Sequence, residues 1–144
     1  MKKTLAVLFA VLLICGLCIP TFAAAVQPDV EPLLQEETST NFLFEVYDPN
    51  IAEVTIIYNG TSTFAQAEVE VYIEKHVVGV FWMPVLVNGS DKWTASSTER
   101  SGTFYQTTTV SGEGLYQARC FLWITDQDGT TELIKETVEC DYAG

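Results

Sequence analysis

The seven residues Glu68-Val69-Glu70-Val71-Tyr72-Ile73-Glu74 carry the clearest structural pattern in the chain. Carboxylates stand at positions 68, 70 and 74, and branched apolar residues stand at 69, 71 and 73. Successive side chains of a β-strand point to opposite sides, so this alternation gives a strand with one solvated side and one buried side. The same glutamates on a helix would be scattered around its axis. The segment therefore predicts a strand that covers a hydrophobic core.

Six further segments show β patterns, and turn signals separate them. They cover residues 41–47, 52–58, 80–87, 103–110, 115–125 and 130–139. Pro84 cannot donate a ladder hydrogen bond, so segment 80–87 is expected at a sheet edge or with a bulge. Asn88-Gly89 predicts a tight turn, followed by a polar loop over 90–101. Together the segments predict an all-β fold, an antiparallel immunoglobulin-like sandwich of about seven strands. Its buried side is expected to hold Val69, Val71, Ile73, Tyr116 and Leu122.

The first 25 residues have the three-part pattern of a secretory signal peptide. Lys2 and Lys3 give a positive start, residues 5–19 run apolar, and small residues follow Pro20 at 23–25. The run is shorter than the roughly twenty residues of a spanning helix. Cleavage after residue 23 or 25 is therefore favoured over an uncleaved anchor or a lipoprotein. The predicted organisation is a signal peptide (1–25), a flexible acidic leader (26–40) and a β-sandwich domain (41–144), in a secreted protein.

Acidic residues dominate the chain beyond the signal segment. All nineteen Asp and Glu lie there, with only five of the seven Lys and Arg, which gives a net charge of −14. Such a charge repels nucleic acid phosphates and anionic lipid headgroups. We therefore expect no nucleic acid partner and no membrane partner after signal cleavage. The oligomeric state stays open.

Residues 112–118, Gly-Glu-Gly-Leu-Tyr-Gln-Ala, resemble the start of the sixth strand in immunoglobulin-like and fibronectin-like domains. There a tyrosine near the strand start bonds back to the preceding corner, and a buried residue stands two places later. Here these positions are Tyr116 and Ala118. Because Ala118 stands where antibody-type domains have a cysteine, the resemblance is to the family without the inter-sheet disulfide.

The chain as a whole is similar to a family of short exported bacterial proteins of uncharacterised function. The similarity lies in the first eight residues, in Val-Gln-Pro at 26–28, and in the Gly-x-Tyr-x-Ala strand near the C-terminus. This chain is more acidic and richer in tryptophan. The resemblance implies a bacterial origin and a sandwich fold, and it implies no activity.

Cys120 and Cys140 are the two cysteines that remain after signal cleavage. An oxidising compartment favours a disulfide between them. If the last hairpin turns at 126–129, however, Cys120 faces Lys135 and lies roughly 16 Å along the strands from Cys140. Bridged Cα atoms lie within about 7 Å. Either the tail after Glu139 folds back, or a bulge shifts the pairing, and a disulfide forms; otherwise Cys120 is a buried thiol and Cys140 a free one.

No residue pattern points to catalysis, to a metal or to another cofactor. His76, the only histidine, is expected in a turn at a strand end. Asp126-Gln127-Asp128-Gly129 begins like a calcium loop, but a hairpin turn explains Asp126 and Asp128 equally well. The sequence has no phosphate-binding glycine loop, zinc spacing or nucleophile elbow. The carboxylates interpreted as a solvated strand face are Glu68, Glu70 and Glu74.

Three aromatic residues are the best functional lead. Phe121 and Trp123 alternate with predicted core residues, so they should point outward, and Trp82 should lie on an edge strand. Outward aromatics can stack on sugar rings or anchor a partner protein, although packing under a loop would also account for them. The sequence thus predicts a non-enzymatic binding module for a protein or glycan at the cell surface. The alternatives are a carbohydrate-binding module, a small acid-catalysed hydrolase, and an exported protein without a ligand.

Overall fold

The computed structural model describes residues 38–78 and 81–144. Eight strands follow one another along this part of the chain: β1 (Ser39–Tyr47), β2 (Ile51–Asn59), β3 (Phe64–Val77), β4 (Phe81–Val85), β5 (Trp93–Ser97), β6 (Ser101–Thr109), β7 (Gly114–Asp126) and β8 (Thr131–Tyr142). Within these ranges no helix is long and apolar enough to cross a membrane. The predicted signal peptide lies outside the described residues, as does the predicted leader up to residue 37. Ser39 and Thr40, expected in the leader, belong to β1.

The strands form two antiparallel sheets that pack together. One sheet has three strands in the order β1-β2-β6. The other has the order β4-β3-β7-β8, and β5 pairs with β3 along the same edge as β4. These orders correspond to strands A-B-E and C′-C-F-G of immunoglobulin-like sandwiches. The predicted all-β, antiparallel sandwich is therefore confirmed, with eight strands in place of about seven.

The alternation in β3 places its apolar side in the core between the sheets. Val69, Val71 and Ile73 are 2, 1 and 1 % exposed, and Tyr116 and Leu122 of β7 are fully buried at 0 %. All five residues predicted for the hidden side are thus buried. The other sides of β3 and β7 necessarily face away from the core, and this orientation presents their polar and aromatic residues outward.

Tyr116 closes the corner between β6 and β7 as the motif predicts. Its hydroxyl donates a 2.6 Å hydrogen bond to the backbone carbonyl of Gly112, four residues upstream. Gly112 has a φ of 66°, a conformation that favours glycine. Lys75 of β3 reaches the same corner, where its ammonium bonds to the carbonyl of Ser111 and lies 5.2 Å from the centre of the Tyr116 ring. These contacts fix the start of β7. They thereby fix which side chains of the strand face the core and which face outward.

The chain between β3 and β6 departs from the prediction in one respect. As expected, β4 is an edge strand that pairs with β3 alone, so Pro84 interrupts no second ladder. Asn88 and Gly89 form the predicted tight turn with φ values of 53° and 83°. The predicted loop over 90–101 is wrong, because Trp93–Ser97 forms β5 along β3. Trp93 and Ala95 pack against the core and alternate with Thr94 and Ser96, and the backbone of the strand pairs with β3.

The pairing of β7 with β8 keeps the two cysteines apart. Cys120 lies opposite Glu136, one residue from the predicted partner Lys135, and Cys140 lies opposite Tyr116. Four residues along the ladder correspond to about 13 Å, beyond the reach of a disulfide. Both cysteines are free thiols. Burial, assisted by the nearby Glu136 carboxylate, raises the pKa of Cys120 to about 12, so this thiol stays protonated in the core.

The turn between β7 and β8 uses the two aspartates that were considered for calcium. The Asp126 N–H donates to the Thr130 carbonyl, and the Gly129 N–H donates to the Asp126 carbonyl, each at 2.9 Å. The Asp128 carboxylate accepts a 2.8 Å hydrogen bond from the Thr130 N–H, and this bond lowers the pKa of Asp128. These contacts are those of a hairpin turn. Among the described residues, no group of three Asp, Glu, His or Cys side chains could hold a metal ion.

Candidate functional site

The outward surface of β3, β5, β7 and β8, which we call the aromatic face, carries two of the three predicted contact residues side by side. Phe121 and Trp123 point away from the core, as predicted, because Leu122 and Ile124 alternate with them and are buried. The two rings stack with centroids 6.1 Å apart and planes inclined by 20°. Both side chains are half-buried, since neighbouring side chains of the sheet pack against them.

Tyr72 of β3 extends this pair into a row of three rings. Its ring meets that of Phe121 edge-on, at a centroid distance of 6.0 Å and an interplanar angle of 83°. Sequence reasoning missed Tyr72, although its position in the alternation places it on the same side of β3 as Glu70 and Glu74. We call Tyr72, Phe121 and Trp123 the aromatic row.

Three of the five Lys and Arg beyond residue 25 surround the aromatic row. The Arg119 guanidinium lies 5.0 Å from the centre of the Tyr72 ring, and the Lys135 ammonium lies 5.9 Å from the centre of the Phe121 ring. Lys92 reaches the same surface from the start of β5. Cations over ring faces are attracted by the negative π surface. A strongly acidic protein thus concentrates its few cations around its outward aromatic residues.

Glu74 is held in place by neighbours on β7. Arg119 donates a 2.9 Å hydrogen bond to each of its carboxylate oxygens, and Gln117 donates a third bond at 2.6 Å. Desolvation raises the pKa of Glu74, whose side chain is 14 % exposed, but these hydrogen bonds outweigh it and the net pKa is lowered. The two-pronged pair in turn fixes the plane of the guanidinium over Tyr72.

Glu70 is also paired. It accepts hydrogen bonds of 2.6 Å from both Lys92 and the Tyr72 hydroxyl, and these bonds lower its pKa. The same contacts raise the pKa of Tyr72 and of Lys92. Interpreting the glutamates of β3 as a solvated face is therefore incomplete. Glu68 is exposed, whereas Glu70 and Glu74 are partly buried in ion pairs that orient the aromatic row.

A groove lies beside Trp123, between β5 and the β7–β8 hairpin. Its volume is about 580 Å³, within the range of small-ligand sites. Trp123 contributes an aromatic ring, Glu68 and Glu70 contribute carboxylates, and Thr94 and Ser96 of β5 contribute polar side chains. An aromatic ring beside hydroxyls and carboxylates complements a sugar, which has an apolar ring face and a hydroxyl-bearing edge.

Trp82, the third predicted contact, lies apart from the aromatic row. It pairs with His76 of β3, and the two rings meet at a centroid distance of 5.0 Å. Phe121 lies opposite Glu70, six residues earlier on β3, which corresponds to about 20 Å. His76 is an exposed strand residue, so the prediction that it lies in a turn is wrong. The structure thus brings Phe121 and Trp123 together without Trp82.

The strand pair that carries Trp82 exposes other apolar side chains. Val78, Phe81 and Leu86 are 99, 57 and 57 % exposed. A recess of about 640 Å³ lies between this part of the chain and residues 109–114. This is a second exposed hydrophobic surface, separate from the aromatic face.

The two paired carboxylates of the aromatic face differ from the general acid of a glycosidase. A general acid for glycoside hydrolysis needs a carboxyl group whose pKa is raised. Glu70 and Glu74 instead have lowered pKa values, because hydrogen bonds stabilise their ionised forms. Their arrangement fixes charge and orients neighbouring side chains.

Comparison of the chain with protein-family models, with curated proteins and with solved structures finds no match. The resemblance to a family of exported bacterial proteins therefore stays a prediction.

Proposed function

We propose that this protein is an exported, non-enzymatic binding module whose aromatic face contacts a partner at or near the cell surface. The observation that carries the proposal is the aromatic row, which lies on the outward side of the sheet and is bordered by Arg119, Lys135 and Lys92. Tyrosine, tryptophan and arginine are the residues that most often dominate binding energy at interfaces. Ion pairs already hold several of these side chains in position, which lowers the entropy cost of binding.

A glycan is the ligand class that one specific feature favours. The groove beside Trp123 combines an aromatic ring with the carboxylates of Glu68 and Glu70 and the hydroxyls of Thr94 and Ser96. Hydrogen-bonding groups of both kinds match sugar hydroxyls, and the ring offers a stacking surface. A protein ligand would instead be expected to cover the whole aromatic row, including Tyr72.

The binding proposal is tested by screening the protein on glycan arrays and against cell-surface proteins, then titrating each hit while recording tryptophan fluorescence. We expect a hit whose titration changes the fluorescence of the protein. The change should be lost in Trp123→Phe, because Trp82 lies apart from the aromatic row and Trp93 packs against the core. Tyr105→Ala, which removes an aromatic side chain from the opposite sheet, is the matched control for a glycan hit and should bind that glycan normally. Failure of every candidate, or hits that bind Trp123→Ala as tightly as the wild type, would refute the proposal.

Export rests on the N-terminal segment and has its own test. When the gene is expressed in a bacterium that exports proteins, mass spectrometry of the medium should find a chain that begins at Ala24 or Val26. A chain that keeps Met1 and stays inside the cell would contradict export without bearing on the aromatic face.

A further inference from the structure

The outward surface of β1, β2 and β6, which we call the tyrosine face, exposes large side chains that are not part of the hydrophobic core. Leu43, Tyr47, Ile57 and Tyr105 are 46, 41, 43 and 55 % exposed. They come from all three strands of the smaller sheet and surround its central strand, β2. Contiguous exposed apolar surface of this kind marks interaction sites.

Glu53 stands at the centre of the tyrosine face. The hydroxyls of Tyr47 on β1 and of Tyr105 on β6 both donate 3.0 Å hydrogen bonds to its Oε2 atom. Two rings from opposite neighbouring strands therefore flank one carboxylate. Because both bonds end on the same oxygen, Oε1 keeps its lone pairs for a further donor.

Among the described residues, no cation pairs with the carboxylates of the tyrosine face. Glu45 lies directly opposite Glu53, and like charges at such positions repel each other. β1, β2 and β6 contain no Lys or Arg, and none occurs anywhere between residues 4 and 74. On the aromatic face, by contrast, the carboxylates of β3 are paired with Lys92 and Arg119. The strands of the tyrosine face thus supply no cation that would relieve the repulsion at Glu53.

We infer that the tyrosine face is a second binding surface that takes a lysine or arginine side chain of a basic polypeptide, with the cation at Glu53 between Tyr47 and Tyr105. A carboxylate and two aromatic rings are the groups that hold ammonium and guanidinium ions. Leu43, which lies diagonally across from Glu53 on β1, offers apolar surface to the aliphatic stem of such a side chain. This site is independent of the aromatic face, so either can fail without the other.

The test is an NMR titration of the protein with a blocked heptapeptide of alternating alanine and lysine, and with the same peptide acetylated at every lysine. We expect the charged peptide to shift the signals of Tyr47, Glu53 and Tyr105, and to bind at least fivefold more weakly to Glu53→Gln and Tyr105→Ala. Tyr105→Phe, which keeps the ring, should weaken peptide binding less than Tyr105→Ala does. Glu132→Gln removes one exposed charge from β8 and should stay within twofold of the wild type, as should Trp123→Ala.

Three outcomes would overturn the inference. The acetylated peptide could bind as well as the charged one, which would show that the cation is not needed. Glu132→Gln could weaken binding as much as Glu53→Gln does, which would indicate unspecific attraction to an acidic protein. A second copy of the chain could also cover this face, which concentration-dependent sedimentation of the protein alone would reveal. Circular dichroism should show the wild-type spectrum for every variant, because none of the altered side chains is buried in the core.

Discussion

The aromatic face and the tyrosine face belong to one sandwich, yet their carboxylates have opposite surroundings. On the aromatic face, Glu70 and Glu74 are ion-paired and partly buried among rings and cations. On the tyrosine face, Glu53 lies opposite another glutamate, and the hydrogen bonds it receives from the described residues come from two exposed tyrosine hydroxyls. The first surface is organised by contacts within the protein, whereas the second leaves its charge for a partner to neutralise.

The difference follows from where the cations stand in the chain. Lys75 is the first basic residue after Lys3, so β1 and β2 have none, and the remaining four lie at 92, 100, 119 and 135. Arg119 and Lys135 fall on strands of the larger sheet, and Lys92 immediately precedes another. Arg100 immediately precedes β6 of the smaller sheet, where its side chain donates to the Gly60 carbonyl at the end of β2 farthest from Ile51. Two antiparallel sheets of one protein can thus acquire different surface properties from the placement of a few charged side chains.

The largest effect is expected from Trp123→Ala on glycan binding. Loss of a central aromatic contact costs about 2 kcal/mol or more, which corresponds to roughly 30-fold weaker binding. Tyr105→Ala removes an aromatic side chain from the opposite face and should stay within twofold. Isothermal titration calorimetry with a polysaccharide hit measures both, and equal losses would erase the distinction between the two faces for this ligand.

Breaking the Glu74 network should lower stability. Arg119→Gln removes two charge-assisted hydrogen bonds from a carboxylate that is 14 % exposed, and we expect the free energy of unfolding to fall by about 1–3 kcal/mol. Tyr105→Phe, which removes the hydroxyl of an exposed tyrosine, should change the free energy of unfolding by less than ~0.5 kcal/mol. Urea denaturation provides the measurement. In the double variant Glu74→Gln with Arg119→Gln, part of the loss should be recovered, because no unpaired charge remains.

The aromatic face should also give the protein a dependence on acid. The pKa values of Glu70 and Glu74 are lowered from 4.5 in the native state, so their contribution to stability is present above that value. It is lost as the pH falls through the lowered native pKa values. Glu74→Gln should therefore lose less stability between pH 6 and pH 3 than the wild type, while Tyr47→Phe should follow the wild type. Thermal melts of all three proteins at several pH values provide the measurement. An equal change of melting temperature with pH in all three would contradict this expectation.

The smallest effect concerns the phenol groups of the tyrosine face. Hydrogen bonds to Glu53 raise the pKa values of Tyr47 and Tyr105 above 10.0. The native state therefore keeps these protons to higher pH than the unfolded chain, and any stability that they contribute is lost as the pH rises through the raised values. NMR of ¹³C-labelled tyrosine should show both rings titrating at lower pH in Glu53→Gln. In Glu70→Gln, only Tyr72 should shift, because its partner lies on the aromatic face.

Much of the fold could be predicted because a strand with one buried side leaves a record in the local sequence, an alternation of apolar and polar residues. The alternation over 68–74 and around Leu122 fixed which side of each strand is buried, and Tyr116 marked the corner before β7. β5 left only a short record, since Trp93 and Ala95 are the only apolar residues among its five. The β7–β8 register was predicted one residue off, because the turn includes Thr130 and the strands pair from Thr131 onward.

The candidate site was predictable only in part, for a physical reason. Alternation alone shows that Phe121 and Trp123 point outward. Their neighbours depend on which strands pair and in what register. Neither can be predicted from a short stretch of sequence. Glu74 and Arg119 are 45 residues apart in sequence and Glu70 and Lys92 are 22 apart, yet both pairs lie in contact. The pairing of Glu53 with two tyrosines has the same origin.

The measurement that tests the central proposal most directly is an NMR map of the amide and side-chain signals that shift when a binding glycan is added. The aromatic face predicts that the largest shifts fall on Trp123, Phe121 and the groove residues Thr94 and Ser96, with little change at Ile57 or Tyr105. Shifts centred instead on the tyrosine face, or on the apolar surface around Phe81 and Leu86, would contradict it.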